Sequence, residues 1–175
     1  SPTAMEEPYN WAAVLKHELV HVFTLQQTKF KIPHWFTEAL AVRSEGHARP
    51  QNFNQLLTER VPKGEIYSLD ELDGVFVRPK SSDNWNFAYC QSLLCADFMV
   101  EEFGEDALKK LLIAYQNQLS TQAAIADCFK ISQSEFEKRY HDYLKKIAGS
   151  LQGYQTESPL SFSGLQKKYE QDKSN

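Results

Sequence analysis

Trp11-Ala12-Ala13-Val14-Leu15-Lys16-His17-Glu18-Leu19-Val20-His21-Val22-Phe23-Thr24-Leu25-Gln26-Gln27 contains neither proline nor glycine. Asn10 stands ahead of it as an N-cap, so the stretch predicts one uninterrupted helix. Leu15, Leu19 and Val22 recur at i, i+4 and i+7 and define an apolar face. Val14, Val20 and Phe23 are apolar on other faces, and a helix apolar nearly all round is expected to be buried. Inside it, His17-Glu18-Leu19-Val20-His21 sets two imidazoles four residues apart. At 3.6 residues per turn both project from one face, within reach of a single cation. Glu18 lies about 100° further round, where it can reach a water on that cation without being a ligand.

With five histidines and fifteen glutamates in the chain, a shuffled sequence would produce H-E-x-x-H roughly 0.01 times. The plainer reading is a pair of core histidines beside a surface glutamate. Two imidazoles and a carboxylate on so apolar a helix would be costly without partners. A bound metal supplies that compensation. A catalytic zinc needs a third protein ligand and an open position for water. The candidate is Glu38, in Pro33-His34-Trp35-Phe36-Thr37-Glu38-Ala39-Leu40-Ala41. A second helix over about Trp35–Ser44, returning antiparallel after Pro33, would bring Glu38 opposite His21. Nearby alternatives are His34, just before that helix, and Glu45, near its end. His34, His47 and His141 read as exposed or structural.

Working outward, residues 45–83 are broken by Pro50, Pro62, Gly64, Gly74 and Pro79 and read as largely irregular. A helix is expected at about Asn52–Arg60, a short turn at Ser68–Asp73 and a brief strand at Val75-Phe76-Val77. A long helix over about Trp85–Phe103 follows, started by Ser82 or Asp83, with Gly104 at its C′ position. Glu105–Asn117 predicts the next, with acids in its first turn and Leu108, Leu111, Leu112 and Tyr115 inward. Ser120 opens a helix at Thr121–Phe129. Ser132-Gln133-Ser134-Glu135 is a capping-box pattern, starting a helix whose Phe136, Tyr140, Tyr143, Leu144 and Ile147 share a face. The fold class expected is mainly α, with little or no β-sheet. The domain is read as residues 1–147, and 148–175 as a linker or tail leading to another module.

Composition narrows the function classes. The chain has 175 residues, 42% of them hydrophobic and 24% charged, and a net charge of −4. These values are globular. The acidic balance and the lack of a basic stretch exclude a nucleic-acid footprint. No apolar run is long enough to span a membrane. Cys90, Cys95 and Cys128 match neither a zinc-ribbon spacing nor a disulfide framework and read as small buried side chains. Ser1–Met5 shows no signal peptide.

H-E-L-V-H followed by Pro-x-Trp-Phe-x-Glu-x-x-Ala resembles the gluzincin metallopeptidases. It is closest to the bacterial peptidase-MA-like domains often joined to tetratricopeptide repeats. The likeness continues through Asn86–Ser92, Glu102-Phe103-Gly104 and Phe136–Tyr140, spanning roughly Trp11–Ile147. The resemblance implies a zincin-like helical subdomain in which zinc is held by His17, His21 and Glu38. It implies hydrolysis of a peptide or protein substrate by zinc-activated water, with Glu18 as general base. Tyr89 matches a tyrosine that would donate to the oxyanion, although it also falls in the apolar stripe of Trp85, Ala96 and Phe103. The resemblance leans toward an extracytoplasmic location. Three departures stand out. Ala39 replaces a glycine, and Val42 stands where a carboxylate four residues after Glu38 would orient a ligand. Only about ten residues precede the first helix, where gluzincins carry a β-sheet whose edge pairs with substrate. The competing reading is a catalytically inactive, zinc-binding helical interaction module.

Overall fold

The computed structural model describes residues 10–46 and 48–156. Among them are eight α-helices and no strand. These are α1 (Trp11–Gln27), α2 (His34–Glu45), α3 (Gln51–Arg60), α4 (Leu69–Val77), α5 (Ser82–Phe103), α6 (Ala107–Gln116), α7 (Thr121–Phe129) and α8 (Gln133–Thr156), with a 3-10 turn at Val61–Lys63. The mainly α class expected from the sequence is the one observed. No described helix is long and apolar enough to cross a membrane.

The elements begin where their caps dictate. Asn10 accepts from the Ala13 N–H at the start of α1, and Ser120 accepts from Ala123 at the start of α7. Ser81, one residue before the expected pair, caps α5 by accepting from Asn84. Each bond satisfies one of the free N–H groups of a first turn. Gly104 ends α5 at φ 89°, a backbone that glycine adopts without steric cost.

The packing centre is α2, which lies between α1 and α5 and makes its most extensive contacts with both. Its Trp35, Phe36, Thr37, Glu38, Ala39 and Ala41 are all buried. Phe36 and Trp35 join a core that runs through Leu57, Leu72, Phe87, Leu94, Leu111, Phe136 and Tyr140. A side chain from α4 also fastens α2. The Asp73 carboxylate accepts from the Trp35 N–H at 3.1 Å, where the proline N-cap offers no side-chain bond. Cys90 and Cys95 are buried and free, and burial pushes the Cys90 thiol up to about 12.

Several expectations are corrected. The segment Val75-Phe76-Val77 is the last turn of α4, not a strand. Ser68 and Glu71 form a full capping box at its start, and Leu69, Leu72 and Phe76 follow at helical spacing into the core. His34 is the first residue of α2 and does not precede it. Glu105 and Asp106 lie before α6 and not in its first turn. The Ser132 hydroxyl does accept from the Glu135 N–H, but the Glu135 carboxylate is taken by Arg139 at 2.8 Å. Helix α8 keeps its periodicity past Ile147. Ala148 is buried, Leu151 packs on the core, and the Gln152 amide donates to the Thr58 carbonyl. The remainder of the expected tail, from 157, falls outside the described residues, as does His47.

The largest correction concerns α1. Thr24 is the buried residue of this helix, while Trp11, Leu15, Leu19, Val22 and Phe23 are exposed. At 100° per residue, His17, His21, Thr24 and Thr28 share one face, and Leu15, Leu19, Val22 and Phe23 lie opposite. The polar face is the one that meets α2. The apolar stripe read from the sequence points away from the core.

Candidate metal centre

The seam between α1 and α2 brings His17, His21 and Glu38 together, with one donor atom of each within 4.8 Å of the others. The two Nε2 atoms are 3.1 Å apart. Glu38 Oε2 lies 3.5 Å from each. A small cation bound tetrahedrally at 2.0–2.1 Å requires donor separations of about 3.3–3.4 Å. The edges of the triangle in the protein, 3.1, 3.5 and 3.5 Å, lie within about 0.2 Å of that figure.

The outer atoms of the imidazoles are held as ligand duty requires. His17 Nδ1 lies 2.7 Å from Glu45 Oε1 and donates to that carboxylate. His21 Nδ1 lies 2.8 Å from Thr37 Oγ1, which is 2.8 Å from Thr24 Oγ1, and the Thr24 hydroxyl donates to the Val20 carbonyl at 2.8 Å. Because a carbonyl only accepts, the chain runs one way: His21 to Thr37 to Thr24 to Val20. Both Nδ1 atoms then carry the proton, and both Nε2 lone pairs face the Glu38 oxygen.

Glu38 is 5% exposed, and its Oε2 is buried without a hydrogen-bond partner. Its Oε1 accepts from His34 Nε2 at 3.1 Å. Burial alone would raise its pKa, but in the metal-free protein the imidazoles of His21 and His34, once protonated, can donate to it and prevail, holding it down at about 2. His21 is raised above its usual 6.5, first by its hydrogen bond to Glu38, against the opposing effect of burial. Two lone pairs and a buried anionic oxygen converging on one point form a set that a divalent cation neutralises. The residues fit a metal.

Glu18 is exposed beside this triangle. Its charge helps raise both His21 and Tyr89, so it lies near both without joining the donor set. Tyr89, half-buried on α5, is pushed well above the ordinary phenol range by burial, then by the carboxylates of Glu38, Glu18 and Glu45. It stays protonated and able to donate. Its ring packs edge-on against Trp85 and Phe76, with centroids 5.1 Å away in each case, so it is also the core aromatic that its stripe suggested.

Other groups enter that sequence reasoning had placed differently. Glu45, weighed as a ligand, instead orients His17, from a position two turns beyond Glu38. It provides the carboxylate that Val42 does not. Thr37 and Thr24 were not singled out at all. The i+7 spacing of Thr24 from His17 is the one signal that marks it on the metal face. His34 stacks on Phe76 at 5.0 Å and supports Glu38, while His141 belongs to α8, its pKa lowered by burial. Two cavities border the centre: about 310 Å³ on the side of His17 and Tyr89, and about 440 Å³ on the side of His21, His34 and Glu38.

The family model for the peptidase MA superfamily matches residues 6–146, a span that includes every residue of the centre. Neither a curated protein nor a solved structure matches the chain. By that match the chain belongs to the peptidase MA superfamily.

Proposed function

We propose that the protein is a zinc-dependent peptidase, with His17, His21 and Glu38 holding the metal and Glu18 acting as general base. The observation that carries this reading is the buried, unpartnered Glu38 oxygen facing two imidazole nitrogens at tetrahedral spacing. The choice of zinc rests on the donor set of two histidines and a glutamate, which leaves a fourth position open.

When bound, zinc supplies a Lewis acid for the scissile carbonyl and lowers the pKa of a water molecule. The residues of the chain do the rest. Glu18 accepts the proton of the attacking water and delivers it to the departing amine. Tyr89, kept protonated by burial and then by the carboxylates around it, donates its hydroxyl to the carbonyl oxygen as negative charge develops there. Glu45 and Thr37 fix the two imidazoles, so no reorientation is needed during the reaction. A general base of this kind contributes about 10²–10⁴-fold. Glu18→Gln should therefore keep its metal and lose at least about a hundredfold in peptide turnover. Loss of metal from a folded Glu18→Gln protein would make Glu18 a ligand and overturn the assignment.

A further inference from the structure

The 310 Å³ cavity shares a wall with the metal centre, because His17, Glu45 and Tyr89 line both. The rest of that wall comes from separate parts of the chain. Val42 projects from α2, Pro50 and Phe53 come from the start of α3, and Trp85 and Leu93 come from α5. All five are apolar. Trp85 is 43% exposed although it packs edge-on against Tyr89, so a large aromatic face is left open to the cavity and solvent. Such a face gains from covering by an apolar group.

Two of the polar atoms in the lining are engaged within the protein. Glu45 Oε1 accepts from His17 at 2.7 Å, and Arg49 Nε donates to Asn54 Oδ1 at 2.6 Å. Glu45 and Arg49 carry opposite charges within one lining, so neither sign of incoming charge gains there. The volume is at the lower end of the range for ligand pockets, about 300–1,000 Å³. It suits one large side chain better than an extended ligand. The 440 Å³ cavity differs, since His21, His34, Thr37 and Glu38 of the centre itself form most of its lining.

We propose that the cavity beside His17 is a side-chain subsite that selects an uncharged, bulky apolar residue, aliphatic or aromatic, next to the bond being cut. This rests on the peptidase reading. Leu93 and Phe53 set the depth of the subsite, and Trp85 forms its rim.

The test digests an unbiased peptide library with zinc-loaded wild type, Leu93→Trp and Leu93→Phe, reading cleavage sites by mass spectrometry. One missing or added methylene in an apolar pocket changes discrimination about 10–200-fold. Wild type should therefore favour Leu, Ile, Met or Phe over Ala at one position flanking the cut by at least about tenfold in kcat/KM. In Leu93→Trp, and more weakly in Leu93→Phe, that preference should collapse while Ala peptides are still cut and the metal is retained. Wild-type cleavage with no apolar preference, or an unchanged preference in both metal-loaded variants, overturns the proposal. If zinc-loaded wild type cuts no peptide, the peptidase reading fails, and equilibrium dialysis of labelled Ala-Leu-Ala, Ala-Phe-Ala, Ala-Asp-Ala and Ala-Lys-Ala decides the subsite. At least about tenfold tighter binding of the first two, lost in Leu93→Trp, supports it. Equal binding of all four overturns it.

Discussion

Helices α1 and α5 are both long, and both are rich in apolar residues, yet they are held in place by different forces. Ten residues of α5 are buried, from Phe87 to Met99, and they pack against α2, α3, α4, α6 and α8. α1 buries Thr24 and packs one half-buried apolar residue, Leu25, on the core, while its seam with α2 is built mainly of two imidazoles, two threonines and the carboxylates of Glu38 and Glu45. The first helix is fastened largely by the polar atoms that converge on the candidate metal centre. The fifth is fastened by area removed from water. Chemistry and attachment are therefore one problem on α1 and separate problems on α5, where Tyr89 and Trp85 reach the site from a rigid base.

If that contrast is right, truncating the α5 core should have the largest effect. Phe87 is fully buried beneath the Arg60 guanidinium, 4.3 Å from its ring centroid. Phe87→Ala should cost about 3–5 kcal/mol in urea denaturation, through lost burial and the cavity left behind. A loss below about 1 kcal/mol would mean that α5 is not the anchor.

The polar seam should instead respond to pH. In chelator-stripped protein, Glu38 has a folded pKa of about 2 against an ordinary 4.5. Its contribution is complete above about pH 4.5 and disappears as pH falls through 2. His21 is raised above 6.5, so its contribution is complete below 6.5 and disappears as pH rises through its folded value. The pair therefore stabilises the metal-free protein most between about pH 4.5 and 6.5. The acid limb should be on the order of 3 kcal/mol. Denaturation midpoints across pH, compared with those of Glu38→Gln, check this. An identical profile in the variant would break the link between seam and titration.

The smallest effect belongs to the outer face of α1. Phe23 is 65% exposed, and Phe23→Ser should change stability by no more than about 0.5 kcal/mol. A much larger loss would show that this face is packed in solution and erase the difference between the two helices.

What the sequence made legible follows the same division. The bounds of α1 and α7 could be read because caps and breakers act locally, within one turn of Asn10 and Ser120. The clustering of His17, His21 and Glu38 was legible because His17 and His21 share a helix and Glu38 carries a recognisable neighbourhood. Whether α1 would be covered was not, since apolar residues record a preference for burial and not the presence of a neighbour. Val75 and Val77 suggested a strand through their β-branched side chains, while Ser68 and Glu71, further upstream, decided for a helix. Glu45 and Thr37 orient the imidazoles only through the crossing of α1 and α2, which no single segment encodes. The apolar cavity is assembled from α2, α3 and α5, so its composition emerged only from the fold.

The central claim is that one cation sits between α1 and α2 on His17, His21 and Glu38. Elemental analysis of purified wild type, His21→Ala and Glu38→Ala, with folding of each verified by circular dichroism, tests it most directly. The account predicts about one equivalent of zinc in the wild type and near-complete loss in both folded variants. Equal metal content in all three proteins would contradict it.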